Sequence, residues 1–117
     1  VTGLITPEEH AAAVASQMKE AALQSQVLAL AFDLRWRAYH TFDSRRSQPG
    51  FPDLVLVSVH YGRVLWRELK TERGRLTNAQ RFWLSDLQAA GQDAGVWRPS
   101  DLISGRVLVD LTTKEVA

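Results

Sequence analysis

The chain contains no cysteine. Disulfide frameworks and thiolate metal centres are therefore excluded, and the composition fits a reducing compartment. The expected location is the cytoplasm. No apolar run approaches the roughly 20 residues that a membrane-spanning helix needs, so no membrane partner is expected. Nor does a charged start lead into an apolar stretch and a small-residue cleavage site, as in a secretory signal. Repeats, low-complexity tracts and interdomain linkers are also missing. The 117 residues are read as one domain, 1–117, with one hydrophobic core.

An excess of either charge is lacking too: 14 Lys and Arg face 13 Asp and Glu, for a formal net charge of +1. The balance hides a local bias. Between Arg35 and Arg81 lie Arg37, Arg45, Arg46, Arg63, Arg67, Lys70, Arg73 and Arg75, against Asp43, Asp53, Glu68 and Glu72. Arginine dominates, as recognition of phosphate favours. A solvated surface of scattered charge is the plainer explanation. Clustering of the basic residues around one pair of acids favours the first.

Those acids sit on what reads as a β-hairpin. Fourteen residues lie between Asp53 and Glu68. Leu54 to Val59 and Val64 to Arg67 are strand-forming runs, separated by the turn-like His60-Tyr61-Gly62-Arg63. A Tyr61-Gly62 loop sets Asp53 opposite Lys70, whereas a His60-Tyr61 loop sets Asp53 opposite Glu68. Both registers place Asp53, Glu68 and Lys70 on one face, because side chains alternate along a strand. The intermediate register would split the acids. Two carboxylates and an ammonium at one end of a sheet suit a divalent cation and a phosphodiester. A surface cross-strand ion pair is the alternative. The strands are apolar on both faces, however, which suggests a sheet covered on both sides, where charges need partners.

The rest of the chain frames the hairpin. Thr6-Pro7-Glu8-Glu9 starts a helix that continues to about Leu34, with a break near Ser16. Its apolar stripe is Val14, Met18, Leu23, Val27, Leu30 and Leu34. Glu20, seven residues before Val27, lies near that stripe, either contributing to a metal site or reaching solvent. Trp36 to Phe42 reads as a first strand, and Asp43 to Gly50 as a polar loop. Thr71 to Leu76 is a second, basic loop. Thr77 and Gln80 match a capping box for a helix to about Ala90, with Ala79, Trp83, Leu87 and Ala90 inward and Gly91 ending it. Asp93 to Arg98 is a fourth strand, Pro99-Ser100-Asp101 starts a helical turn, and Val107 to Leu111 is a last short element. The four tryptophans are read as core, and no exposed aromatic for base stacking can be picked out. This order predicts an α/β fold, a central mixed sheet with helices on both faces.

With Pro-Asp at one strand and Glu-Leu-Lys at the next, the order resembles the PD-(D/E)XK nuclease superfamily, and more closely its virus-type replication-repair nuclease (VRR-NUC) branch. The resemblance covers about residues 20–101. It is carried by Glu20 with Gln26-Val27, Tyr39-His40, Asp43 to Ser47, Gly50 to Val55, Glu68-Leu69-Lys70, Gly74 to Thr77 with Gln80, Trp83-Leu84, Ala90-Gly91 and Trp97 to Asp101. The acidic triplet alone is a weak signal; the ordered chain of motifs is a specific one. One departure is Arg35, where such sequences often place a glycine before the tryptophan.

The resemblance implies a restriction-endonuclease-like core and a metal-dependent endonuclease cutting DNA. Asp53 and Glu68 would be the main ligands of Mg²⁺ or Mn²⁺, hard ions that prefer oxygen. The Leu69 backbone carbonyl would add a ligand, and Glu20 would complete or extend the site. Lys70 would orient the attacking water and offset charge on the scissile phosphate. Gln80 would lie near the metal, although the capping box explains it without function. His40 reads as a packed or surface residue. Ser44, Arg45 and Arg46 on one side, and Arg73 and Arg75 on the other, would contact the DNA backbone. Related stand-alone domains act on Holliday junctions or flaps. Paired cuts at a junction by a chain with one site lead to the expectation of a homodimer. The rivals are a non-catalytic DNA-binding module on the same fold, an RNA nuclease and a site-specific restriction-type enzyme.

Overall fold

The structure is a computed structural model that describes residues 3–41 and 48–115. Two helices open the chain, α1 (Pro7–Gln17) and α2 (Glu20–Asp33), followed by strands β1 (Arg37–His40), β2 (Leu54–Ser58) and β3 (Arg63–Leu69). Then come α3 (Asn78–Ala89), β4 (Asp93–Trp97), α4 (Pro99–Ile103) and α5 (Arg106–Thr112). The sheet order is β1-β2-β3-β4. The β1–β2 and β2–β3 pairs are antiparallel, whereas β4 returns parallel to β3 after α3. The predicted mixed α/β sheet is present. Phe42, the Asp43–Ser47 stretch and the candidates Ser44, Arg45 and Arg46 lie outside the described residues.

The hairpin adopts one of the two registers open from sequence. Leu54 pairs with Arg67 and Ser58 with Arg63, so continuing the ladder sets Asp53 opposite Glu68. His60 and Tyr61 occupy the centre of the turn, which is closed by the Gly62 N–H donating to the Val59 carbonyl at 3.2 Å. The Ser58 hydroxyl oxygen accepts from the Tyr61 N–H at 2.9 Å, and Tyr61 stacks on Trp36.

One face of the sheet is sealed. Leu54, Leu56, Leu65, Leu69 and Trp97 pack against Leu23, Val27 and Ala31 of α2 and against Val107 and Leu111 of α5. The Trp36 indole N–H donates to the Leu111 carbonyl at 3.0 Å, tying the end of α5 to the start of the sheet. The opposite face is covered only in part, contrary to the two-sided burial expected from Val55, Val57 and Val59. There α3 is the helix that packs, through Trp83 and Gln80, and it sits over the β3–β4 half. Val57, Val59 and Val64 are left exposed.

Two further expectations shift. The first helix breaks at Met18–Lys19 rather than near Ser16, with both residues extended. Neither residue type breaks helices. The break lets α1 turn away to pack on α4 while α2 stays on the sheet. In α3 the buried residue is Leu84, while Trp83 and Leu87 are half-buried and Ala90 is exposed. Trp66 is likewise half-buried, so two of the four tryptophans, Trp36 and Trp97, are core in the strict sense.

The departure at Arg35 has a structural form. Arg35 adopts φ 64°, and the Trp36 N–H reaches back to the Ala31 carbonyl at 2.9 Å while the Arg35 N–H reaches Phe32 at 3.0 Å. This is a Schellman ending of α2, with an arginine in the left-handed position that glycine usually fills.

Candidate active site

Asp53 and Glu68 meet on the partly covered face, at the edge of α3. Asp53 precedes β2, and the Thr41 N–H donates to its carbonyl at 3.0 Å, so the β1–β2 ladder carries on to this point. Its side chain turns inward to accept the Leu69 N–H at Oδ2, 2.7 Å away. Pro52 before it is buried. Gly50, at φ +84°, allows the incoming loop to lie flush on α3: a Cβ there would sit 2.3 Å from the Ala79 carbonyl carbon and 2.6 Å from the Gln80 nitrogen. Any other residue would lift the loop, and Asp53 with it, off the helix.

Glu68 is 2 % exposed. Its Oε2 accepts from Gln80 Nε2 at 3.1 Å. Its Oε1 is buried, and among the described residues no N–H donor reaches it. Burial and the neighbouring Asp53, by charge and by hydrogen bond, push the Glu68 carboxyl up from its ordinary 4.5 to about 9. Lys70 acts in the opposite sense, and Glu20 adds a last, small upward push. A buried carboxylate with one orphaned oxygen beside a second carboxylate is costly as it stands. A hard cation bound to that oxygen would remove the cost, so the donor set fits Mg²⁺ or Mn²⁺.

Gln80 caps α3 and touches Glu68 at the same time. Its side-chain oxygen accepts from the Thr77 N–H at 2.9 Å, completing the capping box. Its side-chain nitrogen holds Glu68. An amide has one acceptor end and one donor end, so the cap and the site share the residue without conflict.

Lys70 follows β3 directly, its N–H donating to the Trp97 carbonyl at 3.1 Å, and it is half-buried. Arg73 and Arg75 are exposed on the loop beyond it. Glu20 is the first residue of α2 and is exposed; its charge is felt by Glu68, but among the described residues no three of His, Cys, Asp and Glu come together as a metal cluster. The structure brings together Asp53, Glu68 and Gln80, with the charges of Lys70 and Glu20 within electrostatic reach of Glu68. His40 is half-buried at the end of β1.

Several features were not visible in the sequence. Tyr39 is 60 % exposed and pairs with Val55, on the same sheet face as Asp53. No pattern marks it as outward. Arg67, next to Glu68, is buried on the sealed face, where Asp93 pairs with it at 2.9 Å and the Trp97 ring lies 4.9 Å away. Arg67 and Asp93, 26 positions apart, are brought together by β4 pairing beside β3, which no local signal announces.

The family model for the VRR-NUC domain matches residues 5–101. A solved structure, a VRR-NUC domain protein, superposes with a TM-score of 0.58 at 19 % identity, covering 84 % of this chain and 93 % of that one. No curated protein matches. Sheet order, motif order and family model agree: the chain belongs to the VRR-NUC domain family, a family of nucleases.

Proposed function

We propose that the protein is a divalent-metal-dependent endodeoxyribonuclease that hydrolyses phosphodiester bonds in branched DNA, a Holliday junction or a flap. The observation that carries this reading is the buried, unpartnered Glu68 Oε1 beside Asp53. Asp53, Glu68 and the Leu69 carbonyl would hold Mg²⁺ or Mn²⁺. When bound, the ion supplies Lewis-acid charge at the phosphate and lowers the pKa of water. The Lys70 ammonium lies close enough to Glu68 to lower its pKa, and is suited to orienting the attacking water and offsetting phosphate charge. Gln80 holds Glu68 in place so that Oε1 stays free to bind. Glu20, whose charge Glu68 feels, would complete or extend the site. Arg73 and Arg75, with Ser44, Arg45 and Arg46 on the other loop, would grip backbone phosphates. Two copies would be needed to cut both strands of a junction.

The test is cleavage of labelled four-way junction, flap and linear duplex, with and without Mg²⁺ or Mn²⁺, alongside RNA versions of the branched substrates. Metal-dependent cutting of branched DNA in preference to linear duplex and to RNA is expected. Tight metal-independent binding with no cutting would instead identify a DNA-binding module, and equal cutting of RNA would overturn the DNA assignment.

A further inference from the structure

Arg98 does not touch the two acids, yet its guanidinium is committed to the segment that follows Lys70. Arg98 Nη1 donates to the Thr71 carbonyl at 2.7 Å, the Gly74 carbonyl at 2.7 Å and the Glu72 carbonyl at 3.3 Å. These carbonyls belong to one turn, closed by the Gly74 N–H donating to the Thr71 oxygen at 3.2 Å. The turn is tied a second time, because Glu72 Oε2 accepts from the Ser100 N–H at 3.0 Å. Both ties come from the residues just after β4. They continue the contact in which the Lys70 N–H meets the Trp97 carbonyl.

The turn in turn bears on the lysine. Gly74 lies so close that a Cβ there would be 3.5 Å from Lys70 Cδ and 2.8 Å from the Thr71 hydroxyl oxygen. The folded-back turn thus runs as a wall beside the Lys70 stem, within one methyl group's reach of it, while Arg73 and Arg75 are exposed on the same loop. Loss of the guanidinium would leave three carbonyls without their shared donor and let the wall move.

We propose that Arg98 is a positioning residue for Lys70: by clamping the Thr71–Gly74 turn through its carbonyls, it holds the wall that aims the Lys70 ammonium at the reacting phosphate. The catalytic part of this statement rests on the nuclease reading above; the structural part does not.

The chain has three lysines, Lys19, Lys70 and Lys114, so ¹³C-lysine labelling yields few side-chain signals, and Lys70→Met identifies one of them. In Arg98→Met the Lys70 Cε signal should shift or broaden while those of Lys19 and Lys114 stay put; Arg98→Lys, which restores donors to the carbonyls, should keep it near its original place. In the cleavage assay Arg98→Met should lower kcat by about 100-fold with little change in KM, as expected for a misplaced catalytic group. In a Lys70→Met background the same change should cost no more than about twofold, because Arg98 would then have nothing to aim. Equal losses in both backgrounds, or an unmoved Lys70 signal in a folded Arg98→Met protein, would overturn the proposal. If the parent protein cleaves nothing, the nuclease reading fails, and the Lys70 signal still decides whether Arg98 controls the lysine.

Discussion

Two adjacent residues of β3 pose the same physical problem and solve it in opposite ways. Arg67 and Glu68 are both ionisable and both buried, 5 % and 2 % exposed, and they point to opposite faces of the sheet. Arg67 is saturated. It donates to the Trp66 and Asp93 carbonyls, pairs with Asp93, lies 3.7 Å from Asp110, and covers the Trp97 ring. Asp110 accepts from the Trp97 indole at 2.9 Å and pairs with Arg106, while Arg63 pairs with Asp93. Glu68 has one amide donor and one bare oxygen. A buried charge surrounded by partners holds a fold together; one left short of partners is held in readiness for a ligand.

The sharpest way to break this contrast is to remove each charge in turn. Glu68→Gln, or Asp53→Asn, should reduce metal-dependent cleavage by about 1000-fold or more, roughly 4 kcal/mol of barrier. Thermal unfolding of metal-free Glu68→Gln at neutral pH should show no loss of stability, since the amide replaces a carboxyl that is already neutral there. Arg67→Met should do the reverse. It takes one partner from each of Asp93 and Asp110, which keep Arg63 and Arg106, and should cost about 3 kcal/mol of stability, the low end for a buried pair because Asp93 is partly open to water. Urea unfolding reads both effects.

The contrast also has opposite pH signatures. With its carboxyl at about 9, folded Glu68 keeps a proton that the unfolded chain releases near 4.5. Stability of the metal-free protein should therefore fall as pH rises through that window. Glu68→Gln should flatten the slope. Asp93 behaves conversely: burial pushes its carboxyl up, but Arg67 and Arg63 outweigh this and hold it below its ordinary 3.8. Its contribution is present above about pH 4 and is lost as pH falls through the lowered folded value. Denaturant melts from pH 3 to 9 separate the two windows. The smallest effect is expected from Gln80→Ala, which removes the amide from both Glu68 and the cap of α3. About 1 kcal/mol of stability should go, by the usual worth of a cap, with metal affinity changed only a few-fold.

The parts of this molecule legible in sequence are those governed by local pattern. Thr77 and Gln80 announced the start of α3, and Gly91 its end, because capping chemistry is written in neighbouring residues. The hairpin alternation brought Asp53, Glu68 and Lys70 to one face, although choosing between its two registers needed the turn itself. The break between α1 and α2, the half-open second face and the Arg98 clamp were not legible. Each depends on packing between segments distant in the chain, such as α1 on α4 or Arg98 on a turn 24 to 27 residues earlier. Arg35 is intermediate: an arginine in a left-handed helix ending breaks the local rule, and only the fold around Trp36 explains why it is tolerated.

The central claim, that Glu68 is short of a partner because a cation supplies it, is tested most directly by anomalous diffraction from crystals soaked in Mn²⁺. A manganese peak should lie against Glu68 Oε1 and the Asp53 carboxylate, and vanish in Glu68→Gln. Manganese absent from that pocket in the parent protein at saturating concentration, with Oε1 still bare at a pH above 9, would contradict it.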